Sequence, residues 1–326
     1  MSSNQYSDSR PSDHDASRYL IFGGTGFLGR HLCEYLSTKG SPATVISRNP
    51  DLNFLASLNS HFDGLTISEF EARQQHYLAR AEVIVYLASG SIPGTNQEKP
   101  WIELAESVEP AFKLFTNAQR FNPEIRIIYI SSGGTIYGGS QGGHFLNEAD
   151  RPSPISVYGL GKVMIESALS FLGNSTNLNY AILRVSNPIG IWQTHPRQGI
   201  VNVAIEKIRK GEELTLFDQG RQVRDFIDAD DVAEAIHLAM LDRCHCSAIW
   251  NVGAGYGHRI IDIISMIESL VERKLLIRQL PARHFDVPAV VLDRGRILKD
   301  LGWEPRTSLN DSIKKVLIGR GVIKSL

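Results

Sequence analysis

The chain reads as an α/β protein built on a doubly wound parallel sheet, with a smaller C-terminal substrate-binding lobe interleaved with it. Three observations predict this. Short apolar runs recur between stretches of helical periodicity, the pattern of strands covered on both faces and of the helices that cross between them. A glycine-rich turn, Gly23-Gly24-Thr25-Gly26-Phe27-Leu28-Gly29, joins the first apolar run to the first helical stretch. Beyond Arg184 the pattern becomes irregular, with Pro188, Pro196, Pro281 and Pro288 among shorter helical segments, as expected of a lobe that covers one edge of the sheet.

Residues 1–17 are polar, rich in Ser and Asp and without periodicity, which predicts a disordered tail dispensable for chemistry. Residues 18–22 follow as a buried strand, and Phe27, Leu28, His31, Leu32, Tyr35 and Leu36 recur at helical spacing directly after the glycines. Strand, glycine turn and helix in that order form a dinucleotide-binding unit. Gly23 permits the turn, Gly26 lets backbone approach a pyrophosphate, and Gly29 lets helix and strand pack closely, with Thr25, Phe27 and Leu28 completing the loop. The next strand, residues 43–47, ends in Ser47-Arg48. A carboxylate at that tip would bind the adenosine ribose of NAD, whereas Arg48 suits the 2′-phosphate of NADP, so the cofactor is read as NAD or NADP.

Further strands are predicted at 82–87, 126–130 and 180–184, with the clearest intervening helices at 102–121 and 162–172. The Gly-rich stretch 133–150 should be a loop at the strand ends, the edge at which such sheets bind ligands. Residues 230–241 and 248–252 again read as a helix and a strand of the main sheet. The dinucleotide-binding domain is therefore expected at 18–185, with 225–252 returning to it, and the substrate-binding lobe mainly at 186–326.

At 326 residues and a formal net charge of -1, the chain has ample core and no global attraction to nucleic acid or to an anionic membrane, so phosphate binding must be local. The cysteines are Cys33, Cys244 and Cys246, and no long uncharged apolar stretch occurs. A disulfide framework and a membrane span are not expected, and the default is a cytoplasmic enzyme. Cys244-His245-Cys246 lacks the spacing and the additional ligands of a structural zinc site, so no metal is expected.

Tyr158 and Lys162 stand four apart, on one face of a helix, where an ammonium would favour phenolate over phenol and make Tyr158 a base near neutral pH. Tyr35 and Lys39 share that spacing. Position separates them: Tyr158 opens a helix that follows the loop after Ile130, at the ligand edge, whereas Tyr35 lies at the far end of the helix that starts on the glycines.

With these motifs in this order the chain resembles the extended short-chain dehydrogenase/reductase superfamily, in particular its NAD-dependent epimerase/dehydratase family and the UDP-glucose 4-epimerase-like group. Other stretches that carry the likeness are Leu87-Ala88-Ser89, Ser131-Ser132-Gly133-Gly134-Thr135-Ile136-Tyr137-Gly138, Arg184-Val185-Ser186-Asn187-Pro188-Ile189-Gly190, Arg224-Asp225-Phe226-Ile227-Asp228-Ala229-Asp230-Asp231 and Leu301-Gly302-Trp303-Glu304-Pro305. The resemblance implies a Rossmann fold on which Leu87, Ala88, Lys162 and Pro188 also hold the cofactor. It implies that Tyr158 exchanges a proton with a sugar hydroxyl as hydride moves between sugar carbon and nicotinamide. Arg224 and Arg283 would grip the diphosphate of a nucleotide sugar and Asn187 would reach a substrate phosphate or sugar oxygen; for each arginine a structural ion pair is the plainer alternative, Arg224 with Asp225 or Asp228 for example. A homodimer through two helices is also implied.

The chain departs from the family at Gly133, where a Ser or Thr usually steadies the reacting oxygen; Thr135 or Ser132 is expected to supply that hydroxyl. Gly134-Thr135 stand where dehydratases of the family carry an acid pair, which argues against 4,6-dehydration. The activity implied first is a nucleotide-sugar 4-epimerase acting on a UDP-hexose or similar, which would retain NAD. The alternative is an NADPH-dependent nucleotide 4-keto-sugar reductase, which fits Arg48 better. A non-catalytic nucleotide-binding protein comes third.

Overall fold

A computed structural model of the chain describes residues 18–324 apart from 60, 93, 141, 142, 284 and 285, so the tail expected at 1–17 lies outside the described residues. Six strands alternate with helices in the first part of the chain: β1 (Tyr19–Phe22), β2 (Ala43–Ser47), β3 (Phe62–Thr66), β4 (Val83–Tyr86), β5 (Arg126–Ser132) and β6 (Asn179–Val185). Seven more follow: β7 (Asn187–Ile189), β8 (Leu214–Phe217), β9 (Val223–Asp228), β10 (Ala248–Val252), β11 (Gly257–Arg259), β12 (Ile277–Leu280) and β13 (Ala289–Val290).

The main sheet has seven strands in the order β10-β6-β5-β4-β1-β2-β3, every neighbouring pair parallel. The chain begins in the middle at β1, steps out through β2 to β3, then returns to β4 on the other side of β1 and steps out the opposite way. That reversal between β1 and β4 parts the loops at the carboxyl ends and opens a crevice there.

Successive side chains of each strand point to opposite faces and feed separate cores. Ile21, Val45, Val85, Ile128, Leu183 and Trp250 pack under helices Phe27–Thr38 and Ala229–Leu241. Leu20, Ile84, Ile127, Tyr129 and Ile182 pack under helices Glu109–Phe121 and Val157–Thr176. Burial on both faces is why these strands read as unbroken apolar runs.

The remaining strands form smaller sheets. β9 pairs with β7 and β13 in parallel and with β11 antiparallel, while β8 and β12 form a parallel pair. Val201, Ile205, Leu214, Leu216, Ile263, Ile267 and Val316 make a third core beneath them. Helix Ala229–Leu241 and the loop that leads from it to β10 are tied to the main sheet by Arg126, which is 1% exposed. Its guanidinium pairs with Asp242 at 3.0 Å and donates to Asn179, Ala239 and His245.

Four elements differ from the sequence expectation, one being a short helical turn at Gly133–Ile136 that opens the stretch expected as a loop at 133–150. The helix at 102–121 is interrupted: a turn at Pro100–Glu103 leads into a π-helical turn at Leu104–Val108 before helix Glu109–Phe121. Pro110 has no N–H to donate and its ring would strike the carbonyl four residues back, so the wider turn ahead of it relieves the clash. The helix expected at 162–172 spans Val157–Thr176, because Ser156 caps its start by accepting from Gly159 N–H at 3.1 Å. Strand β3 was not foreseen, since Asp63 and Gly64 disguise an edge strand of which one face is only half covered.

Candidate active site

A cleft of about 1520 Å³ runs along the carboxyl edge of the main sheet and on to the smaller sheets. At its dinucleotide end the Gly23 N–H donates to Ile46 O at 2.8 Å, and Gly23 O accepts from Gly26 N–H at 2.9 Å. Gly23 has φ +82°, a left-handed conformation that glycine adopts without strain. A Cβ at residue 29 would lie 2.2 Å from Gly23 O, so the helix can approach the turn this closely only through glycine. Helix Phe27–Thr38 starts with no side-chain cap and no acidic residue in its first turn. Its first N–H groups are left for an anion. Gly23, Thr25, Gly26, Phe27, Leu28, Gly29, Leu87, Ala88 and Pro188 all line the cleft. This turn, packed too closely for a Cβ at Gly23, Gly24 or Gly29, leaves backbone facing the cleft and fits a dinucleotide.

At the tip of β2, Thr25 donates to the Ser47 hydroxyl at 3.1 Å, and the exposed Arg48 lines the cleft. Arg30, which the sequence reading missed, fastens this end. Its guanidinium pairs with Asp51 at 2.6 Å, lies over the rings of Phe54 (4.4 Å) and Trp192 (4.8 Å), and donates to Thr25 O at 3.1 Å. One arginine after a glycine motif carried no signal of that packing.

Tyr158 and Lys162 line the middle of the same cleft. Lys162 Nζ donates to Ile130 O at 3.0 Å and stands 5.1 Å from the Tyr129 ring centre and 5.5 Å from that of Tyr158. Burial lowers the Lys162 pKa to about 8, against the opposing pull of Glu103 and Glu166. The Tyr158 phenol moves the other way from the sequence expectation. Burial raises its pKa well above the usual range, the Glu103 carboxylate raises it further, and only a side-chain hydrogen bond with Ser132 opposes. The lysine is turned to a backbone carbonyl rather than to the phenol, so burial decides, and the polypeptide alone holds Tyr158 protonated at neutral pH.

Gly133 does not face the cleft. A Cβ there would meet Leu292 Cδ1 at 2.6 Å and Arg184 O at 2.9 Å, so a hydroxyl at that position would point into the core. Ser132 and Thr135 both line the cleft; Thr135 Oγ1 donates to Ser132 O at 3.4 Å. A buried network fixes this loop against the long helix. Ser131 donates to Glu166 at 2.5 Å, Arg184 pairs with Glu166 at 2.7 Å and donates to Tyr137 at 2.9 Å, and Tyr137 donates to Asn251 at 2.8 Å. Glu166 could have been found from its place one turn beyond Lys162 on the same helix face.

Asn187, Arg224 and Arg283 line the far part of the cleft. Asn187 donates to Asp225 O and Arg224 to Val223 O, each at 2.9 Å. Arg283 pairs with Asp286 at 2.7 Å and lies 4.2 Å over the Phe217 ring. The suggested pairing of Arg224 with Asp225 or Asp228 does not form. Asp225 is turned inward to the amides of Ala254, Gly255 and Leu292, with its pKa raised by burial to about 6, and Asp228 is taken by Ser312 and Lys315. Tyr35 and Lys39 are absent from the cleft lining; Lys39 lies over the Tyr35 ring at 5.1 Å. Cys244 and Cys246 are exposed, and among the described residues no cluster of His, Cys, Asp and Glu could hold a metal ion.

A glycine cradle at a strand-order reversal, with a tyrosine and a buried lysine beside it, defines a dinucleotide-dependent redox enzyme of Rossmann type. Comparison with known proteins agrees. The model of the NAD dependent epimerase/dehydratase family matches residues 19–253, and the chain belongs to that family. It is similar to dTDP-4-dehydro-6-deoxyglucose reductase of Escherichia coli, 28% identical over 306 residues that cover 91% of this chain and 96% of the relative. Among solved structures it resembles UDP-glucose 4-epimerase of Thermotoga maritima with UDP-glucose, at 27% identity and a TM-score of 0.83, covering 93% of this chain and 98% of that one. The UDP-glucose 4-epimerase of Thermus thermophilus in complex with NAD is 25% identical with a TM-score of 0.81, covering 94% of this chain and 100% of that one. The chain is thus an NAD(P)-dependent nucleotide-sugar enzyme of the extended short-chain type.

Restoring the family's hydroxyl should not help this enzyme. Gly133→Ser is expected to leave turnover no higher and to cost about 1–3 kcal/mol of stability through overpacking against Leu292, read from urea unfolding. A faster, equally stable variant would show that residue 133 reaches the reacting oxygen after all.

Proposed function

We propose that the chain is an NADPH-dependent nucleotide 4-keto-sugar reductase; the observation that carries this reading is Arg48, exposed at the tip of β2 where no carboxylate stands. A guanidinium at that position forms paired hydrogen bonds to a 2′-phosphate, and a serine beside it does not repel one. The likeness to the E. coli protein named a reductase supports the same choice.

The uncapped helix and the glycine cradle would hold the pyrophosphate, and Leu87, Ala88, Pro188 and Lys162 the nicotinamide half. When bound, the reduced dinucleotide supplies hydride to the carbonyl carbon of the sugar. Tyr158, kept as a phenol by burial, gives its proton to the carbonyl oxygen, with Ser132 hydrogen-bonded to Tyr158 to steady that oxygen. The ammonium of Lys162, close to the ring, lowers the cost of the phenolate left behind. Thr135 closes the same side of the cleft. Asn187, Arg224 and Arg283 grip the diphosphate, and Gly134-Thr135 offer no acid pair for dehydration.

A second reading, the 4-epimerase, is favoured by the full-length likeness to solved UDP-glucose 4-epimerases. It uses the same tyrosine in both directions and keeps its cofactor. The non-catalytic reading is set aside because Ser132, Tyr158 and Lys162 line one cleft. Among the described residues no helix is long and apolar enough to cross a membrane. We place the enzyme in the cytoplasm, with a nucleotide-diphosphate sugar as its partner.

The two leading readings part at Arg48. Arg48→Ala should weaken NADPH binding roughly tenfold or more, in line with the loss of a paired charge-assisted contact, and leave NADH binding unchanged in calorimetric titration. Equal losses for both, or tightly held NAD in the purified protein, would favour the epimerase.

The chain is further read as a homodimer. Leu160, Met164 and Phe171 along the long helix and Trp101, Leu104 and Phe112 on the segment beside it are exposed apolar residues that a second copy would cover. Light scattering should give twice the chain mass, and Met164→Glu should shift it toward the monomer; a monomeric wild type would refute the pairing.

A further inference from the structure

Behind the Tyr158–Lys162 pair lies a carboxylate to which no ion pair is made among the described residues. Glu103 ends the turn at Pro100–Glu103, directly before the π-helical turn. It is 3% exposed, and its Oε2 is buried without a hydrogen-bond partner. An unsatisfied buried carboxylate oxygen is costly enough to call for a role.

Its side chain reaches the long helix at Gly161, the residue before Lys162. A Cβ at 161 would lie 2.6 Å from Glu103 Cγ and 2.6 Å from Oε1, so the carboxylate occupies space that any other residue would fill. The groups that face it are few. From the long helix they are Tyr158 and Lys162, and from β5 Tyr129, whose hydroxyl is also buried without a partner; Glu166 of the long helix lies near Lys162 and Tyr129 as well. Glu166 is already committed to Arg184 of β6 and to Ser131. Glu166 adds to the pull on Lys162, but among the described residues Glu103 is the carboxylate beside both members of the pair that is not committed elsewhere.

We propose that Glu103 is a positioning residue that sets the charge state of the pair, holding Lys162 as ammonium and Tyr158 as phenol, with Gly161 as the gap that admits it. The inference rests on the reading of Tyr158 and Lys162 as the reacting pair. A negative charge at this depth favours a neighbouring cation and opposes a neighbouring anion, so both groups keep their protons to higher pH. The phenol is the form that donates a proton to a carbonyl oxygen.

The test uses the full-length protein with lysines carbon-13 labelled at Cε, titrated by NMR, with Lys162→Met to identify the resonance. Phenolate absorbance of the protein minus that of Tyr158→Phe reads Tyr158 in parallel. Glu103→Gln should lower both midpoints by about one pH unit and move the alkaline limb of kcat in the same direction. Gly161→Ala, which displaces the carboxylate while leaving it in the chain, should shift both midpoints the same way and carries the test if Glu103→Gln does not fold. Unmoved midpoints in either folded variant, or a shift to higher pH, would overturn the proposal. Both titrations are read without turnover, so this failure is separable from a failure of Tyr158 to act in the reaction.

Discussion

The functional edge of this protein depends on how closely one helix start comes to the turn before it. With a Cβ at residue 29 the carbonyl of Gly23 would be 2.2 Å away, so any side chain there would push the helix off β1. The close approach puts the helix's unpaired N–H groups at the reversal of strand order, between the loops after β1 and β4. The placement of Ala88 against the turn and the line from the cradle to Tyr158 follow from that geometry, on which the proposed phosphate binding rests. Arg30 secures it by pairing with Asp51 and packing on Trp192, which tethers the turn to the segment following β7.

A second constraint is the burial of charge beneath the reacting edge. Glu166 and Arg184 pair at 2.7 Å with both side chains almost fully covered; Ser131 donates to Glu166, Arg184 donates to Tyr137, and Tyr137 donates on to Asn251. Removing one member would leave the other charged and unpaired, at a cost of about 3–5 kcal/mol. The network joins β5, β6, β10 and the long helix, so Ser132 and Tyr158 are held by elements far apart in the chain. The same covered environment raises the pKa of Tyr158 and lowers that of Lys162.

Much of the fold was legible because burial on both faces writes itself as apolar runs: β1, β2, β4, β5, β6 and β10 were all readable in place. Edge strand β3 was not, as Asp63 and Gly64 break its pattern. The π-helical turn escaped notice because periodicity continues through it, and only Pro110 hinted at a break. At the site, motif and order brought Tyr158, Lys162, Ser132, Arg224 and Arg283 to one cleft. What could not be read was direction. That Gly133 faces Leu292, that Lys162 turns to Ile130 O, and that Glu103 reaches Gly161 are properties of packing between segments distant in sequence. The expected lowering of the Tyr158 pKa failed for that reason, since spacing along a helix says nothing of how deeply the helix is covered.

The central claim is that the cleft performs proton transfer at Tyr158 on a nucleotide sugar beside a bound dinucleotide. Tyr158→Phe tests it most directly, with cofactor and nucleotide affinities measured by calorimetry alongside turnover. The account predicts affinities close to those of the parent protein and a turnover lower by about 10²–10⁴-fold, the usual worth of a positioned acid or base. Unchanged turnover, with binding intact, would contradict it.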